Sequence, residues 1–143
     1  MDVSELRKQI LRALDTARKD ADEKRRAAYQ AKSAYETFLN DVAVPAFRQA
    51  ANVLRALGHD FSANTPAGSV RLDGPLGQEY LELELDVSGG RAQVIGRTGM
   101  MRNRGGPLVE ERPIAAGTPI AELTDADVAT FLTTEIPRLV MRT

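Results

Sequence analysis

From Met1 to Val44 the chain contains neither glycine nor proline, and strong helix formers dominate the stretch. Such a segment reads as one long helix, capped at its start by Ser4 or by Asp2. Continued to Asn40 or Val44 it would be about 60 Å long at a rise of roughly 1.5 Å per residue. A chain of 143 residues folds into a body narrower than that, so part of the helix must project or find a partner.

Its apolar positions recur at steps of four and three: Ile10, Leu14, Ala17, Ala21, Lys24, Ala28, Ala31, Tyr35, Phe38 and Val42. A period near 3.5 suits a helix packed lengthwise against another, as in a coiled coil. Both ends of this seam are large and its middle is small. Residues 18–26 are almost wholly polar, which suits either a solvated stretch held by pairs such as Asp22–Arg26 or a close alanine-lined contact between helices.

Pro45 interrupts the pattern. Its fixed φ and missing N–H either kink one helix or begin a second, with Asn40 or Asp41 as the cap. The next segment is amphipathic, with Phe47, Ala50, Ala51, Leu54 and Leu57 on one face and Gly58 placed for a left-handed C-terminal cap.

Beyond Gly58 the periodicity changes from helical to alternating. Ser69–Asp73 reads as a short strand, and Glu79–Val87 alternates without a break. Leu81, Leu83, Leu85 and Val87 fall on one face of that second strand; Tyr80, Glu82, Glu84 and Asp86 fall on the other. Ser88-Gly89-Gly90 turns the chain into a strand over 91–97, and a Gly/Arg-rich loop leads to a fourth strand over 108–114. Thr124 caps a last helix, with Val128, Phe131, Leu132, Ile136, Leu139 and Val140 on its apolar face and Pro137 set to bend or split it.

The fold class is therefore α+β. A long N-terminal helix and a second amphipathic helix precede a four-stranded antiparallel meander, and a C-terminal helix packs on the sheet. The organisation expected is a projecting or pairing helix over residues 1–44 and an α+β domain over 45–143.

The chain has no cysteine, which rules out disulfides, thiolate metal sites and thiol nucleophiles. Residues 1–57 carry a net charge of +3 and residues 58–143 a net charge of −4. Neither imbalance demands a nucleic acid or a membrane as partner. No apolar run approaches the roughly 20 residues that cross a bilayer. With a charged, amphipathic start, the location expected is cytoplasmic.

Three groups of residues could carry chemistry. The row Glu82, Glu84, Asp86 could hold a cation, but same-face neighbours on one strand stand nearly 7 Å apart. Cross-strand pairing with Arg71, Arg91 and Arg97 is the simpler account. His59 is the chain's single histidine and follows a helix end, where its imidazole could bond the last carbonyls.

The third group is the segment 96–106, GRTGMMRNRGG. Glycines there would let backbone amides approach an anion, which Arg97, Arg102, Asn103 and Arg104 would bind. Its glycine spacing matches neither a phosphate-binding P-loop nor a dinucleotide fingerprint.

No nucleophile and base stand at a useful spacing, so no catalytic residue, metal ligand or cofactor is assigned. The function expected is non-enzymatic association, the long helix pairing as a homodimer or with a protein partner through Ile10, Leu14, Tyr35 and Phe38. One alternative is a phosphate- or nucleic-acid-binding module built on the loop 96–106. The other is a small metal-dependent enzyme on the acidic strand face.

Overall fold

A computed structural model describes residues 2–102 and 104–141 of the chain. Asp2 caps the first helix, α1 (Val3–Phe38), its carboxylate accepting from the Ser4 N–H at 3.2 Å. Pro45 does not begin a separate helix after a break. Instead α1 passes through a π-helical turn, Leu39–Ala43, directly into α2 (Val44–Ala56), and neither Asn40 nor Asp41 caps it. In that turn the Val44 N–H reaches back five residues to the Leu39 carbonyl. The wider turn gives room where the Pro45 ring would crowd the carbonyl of Asp41.

α2 ends in a Schellman motif. Gly58 sits at φ 90, its N–H bonds the Arg55 carbonyl at 3.1 Å, and the His59 N–H bonds that of Leu54 at 2.8 Å. The helix end is thus closed by the backbone of His59, where the imidazole had been expected to act. Val44, Phe47, Ala51 and Leu54 are buried, but Leu57 is exposed, because the helix has already unwound at its C-cap.

The sheet has five strands, one more than the alternation predicts, and every neighbouring pair is antiparallel: β1 (Ser62–Asn64), β2 (Ser69–Asp73), β3 (Tyr80–Asp86), β4 (Gln93–Met101) and β5 (Pro107–Pro113), in that order. β1 is three residues of Ser, Ala and Asn, too short and too polar to show a period. β4 is longer than expected and takes in residues 98–101 of the segment read as a loop. Its glycines serve close packing: a Cβ at Gly96 would overlap the Phe131 ring, and one at Gly99 would overlap the Tyr80 ring. What remains as a connection runs from Arg102 to Gly106, with Gly105 and Gly106 at positive φ.

The last helix, α3 (Asp125–Val140), opens with a capping box in which the Thr124 N–H donates to Asp127 at 2.9 Å. Pro137 does not split it. Pro137 and Thr133, whose carbonyl loses its helical donor there, both lie on the exposed side, where water can reach that carbonyl.

α2 lies against β1 and β2, and α3 against β3 and β4, on one face of the sheet. Between them Phe47, Val70, Leu72, Leu81, Leu83 and Val128 are fully buried. Each such side chain contributes about 1.5–3 kcal/mol relative to exposure. The last turns of α1 join this core at the end of the sheet where β2 begins. Tyr35 and Phe38 are buried there, and the Tyr35 hydroxyl donates to the Gly68 carbonyl at 2.6 Å. Residues 2–30, in contrast, are exposed without exception. The exposed part of the helix therefore ends at Gln30, well short of the Val44 expected, as an arm of 28 residues (Val3–Gln30) about 42 Å long.

Candidate functional site

The arm is exposed along its whole length, whereas in proteins most helical stability comes from packing an amphipathic face rather than from propensity. Its middle is laced by local ion pairs, Lys19 with Asp15 at 3.3 Å and Arg25 with Asp22. Asp22 thus pairs one residue earlier than the expected Arg26. Both pairs are more than half exposed, so each adds only about 0.3–0.5 kcal/mol. Toward its N-terminus the arm carries Leu6, Ile10, Leu11 and Leu14, exposed by 44, 50, 56 and 49%. Large apolar side chains at these spacings form a stripe over the first four turns, and a single stripe this regular is more than scattered surface hydrophobicity.

The four residues assigned to a partner surface divide. Ile10 and Leu14 lie on that stripe in contact with solvent. Tyr35 and Phe38 belong instead to the chain's own core, at 3 and 4% exposure. Burial, and after it the charges of Glu84 and Glu82, pushes the Tyr35 phenol well above the usual tyrosine range. The seam is thus one pattern with two uses: its C-terminal end holds the helix to the sheet, and its N-terminal end is bare.

The open face of the sheet gathers the charges. In-register partners share a face, so Asn64, Arg71, Glu82, Arg97 and Glu111 form one row across all five strands. Arg97 donates to Glu82 at 2.6 Å, to Glu84 at 3.4 Å and to Glu111 at 2.8 Å. The Glu111 hydrogen bond, reinforced by those to Glu82 and Glu84, holds its guanidinium above the ordinary arginine range. Arg71 reaches Glu82 at 3.7 Å and Asp73 at 3.2 Å, while its guanidinium stacks 3.9 Å over the Tyr80 ring. Ser69 donates to Glu82 at 3.1 Å, which completes the partners of that nearly buried carboxylate. Asp86 takes the Ser88 hydroxyl at 2.6 Å and its N–H at 2.9 Å; these bonds hold its carboxyl below the usual range. Arg91, expected to join this network, lies outside the strands in the exposed turn before β4.

The anion-binding assignment changes accordingly. Arg97 is enclosed by three carboxylates. Arg102 donates to the carbonyls of Gly105 at 3.1 Å and Gly106 at 3.4 Å, which closes its own turn. Arg104 is exposed, and Asn103 lies outside the described residues. Arg97, Arg102 and Arg104 are thus engaged or placed separately, not gathered around a common point. Among the described residues no three His, Asp or Glu side chains stand close enough to hold a metal ion, and no helix is long and apolar enough to cross a membrane.

A second charge cluster was missed by the sequence reading. Glu135 is almost fully buried between α3 and β5, where it accepts from Arg112 at 2.7 Å and from Arg138 at 3.1 Å. Arg138 also donates to Glu110 at 2.7 Å, and this bond holds the Glu110 carboxyl below its ordinary range. The signal was a lone acid inside the apolar stripe of α3, in step with Phe131, Leu132 and Leu139.

Comparison with known proteins adds no relative: no protein family, no curated protein and no solved structure matches the chain.

Proposed function

We propose that this is a non-enzymatic assembly protein whose arm, Val3–Gln30, docks lengthwise against another helix. The observation that carries this is the bare apolar stripe of Leu6, Ile10, Leu11 and Leu14 on a helix segment exposed along its whole length. A partner helix would remove that stripe from water and would supply the stability that local ion pairs alone do not. The charged side chains support the same reading. On the open sheet face and beside α3 they neutralise one another across strands, an arrangement that fastens elements together.

Site-specific photo-crosslinking in cells expressing the full chain tests the reading. Benzoylphenylalanine at Leu6 or Ala13, on the stripe side, should yield covalent protein adducts. The same group at Arg12 or Lys19, on the opposite side, should yield few. Adducts from both sides alike, or from neither, would remove the arm as a docking element.

A further inference from the structure

We infer that the partner is a second copy of this chain, with the two arms antiparallel and the two sheet domains at opposite ends of the paired helices. This rests on the docking role proposed for the arm and specifies its occupant and register: Val3 of one copy beside Ala28 of the other, Ile10 beside Ala21, and Leu14 beside Ala17.

The first argument is where the seam leads. A partner lying on a seam of period 3.5 follows it around the helix in a left-handed path. Followed toward the C-terminus, this seam reaches Ala31, Tyr35 and Phe38, and there the chain's own sheet domain already occupies it. A parallel copy would have to continue through that occupied space. An antiparallel helix stops there, because its first residue, Val3, which follows the Asp2 cap, comes level with Ala28. The exposed stretch is one arm long, so an arm of equal length fills it.

Size supplies the second argument. The large seam residues lie in the first half of the arm and the alanines in the second. Paired in parallel, leucine would meet leucine at one end and alanine would meet alanine at the other, and the helices could not keep one spacing. Reversed, Val3, Ile10 and Leu14 each face an alanine, and a constant interaxial distance in the 8–10 Å range of packed helices serves these layers.

Charge decides less. Arg7 faces Lys24 in the antiparallel register, but parallel pairing sets Arg7 on Arg7 and Lys24 on Lys24, which is no better. Both side chains are long enough to carry their charge clear of the seam. Parallel pairing would gain an Asp20–Arg25 contact on the flank. A surface pair of that kind is too weak to outweigh a steric block.

The chain's lack of cysteine allows single labels to be placed on the full-length protein. Glu5→Cys, Arg12→Cys, Lys19→Cys and Arg26→Cys put a nitroxide on the outer face of the arm, and pulsed electron resonance measures the distance between copies. Antiparallel pairing offsets the labels along the axis by about 32 Å at Glu5 and Arg26 and about 10 Å at Arg12 and Lys19. The expected result is therefore two long and two short distances. Four equal distances would show parallel pairing and overturn the inference while leaving the arm a docking element. A monomer by light scattering at labelling concentration would overturn it as well. Stripe-side photo-adducts to a different protein would then show that the docking role survives with another occupant.

Discussion

The contact between α3 and β5 offers a test in which removing charges one after another should give costs that do not add. The Glu135 side chain is 2% exposed, whereas those of Arg112 and Arg138 are 53 and 35% exposed. Freed arginines can take up water, and the carboxylate cannot. Arg112→Ala leaves Arg138 on Glu135 and should cost about 1–2 kcal/mol, the loss of one charge-assisted hydrogen bond reduced by partial solvation. Arg112→Ala with Arg138→Ala leaves a buried carboxylate without a cation, a change that costs about 3–5 kcal/mol. The double variant should therefore lose more than the sum of the singles. Adding Glu135→Leu removes the stranded charge and places an apolar group beside Phe131 and Leu139, so the triple variant should return to within about 1–2 kcal/mol of the original chain. Urea unfolding followed by near-ultraviolet dichroism reports the domain, because Tyr35 is buried in it. A triple variant no more stable than the double would refute the reasoning, since the penalty would then not lie in the buried charge.

Gly96→Ala should destabilise the domain by about 1–3 kcal/mol through overlap with the Phe131 ring, and Phe131→Leu should partly relieve it; thermal unfolding of both variants and their combination checks this. Tyr35→Phe removes the hydroxyl that donates to the Gly68 carbonyl at 2.6 Å, and urea unfolding should show a loss of about 1 kcal/mol. Asp86 and Glu110 both have carboxyls held below the ordinary range, so folding favours their ionised forms. Their contribution is complete above the unfolded values near about pH 4 and is lost as the pH falls through the lowered folded values. Melting temperatures from pH 7 to 2 should fall at the acid end, and Ser88→Ala should flatten that fall.

Element types were readable where one period ran long enough. The helix before Pro45, the alternation of β3 and the capped start of α3 each repeat a single rule over many residues. β1 failed that test because three residues are too few to show a period. β4 failed for a different reason: Gly96 and Gly99 look like loop residues in the sequence, and their role appears only once the Phe131 and Tyr80 rings lie over them. The arm's bare stripe was half legible. Spacing identified the seam, but spacing cannot show which part of a seam the chain itself will cover, and Tyr35 and Phe38 turned out to be covered. On the open face the pairing of Arg71 and Arg97 with Glu82 followed from alternation and strand order, but the place of Glu111 did not, and Arg91 stands apart. The buried Glu135 did not, since its partners Arg112 and Arg138 come from a distant strand and from its own helix.

The two outer strands set how many directions this molecule can grow in. An unpaired strand edge is a template on which further chains can add without limit. Here one edge is β1, only three residues long, and the other is β5, which has a proline at its first and its last position and carries Glu110, Glu111 and Arg112 between them. Neither edge offers a long, uncharged run of backbone to another strand. In the proposed pairing the arm presents one stripe and so has one valence. Two arms that satisfy each other through a twofold axis leave nothing unsatisfied. The blunt edges thus favour a closed pair over a fibre.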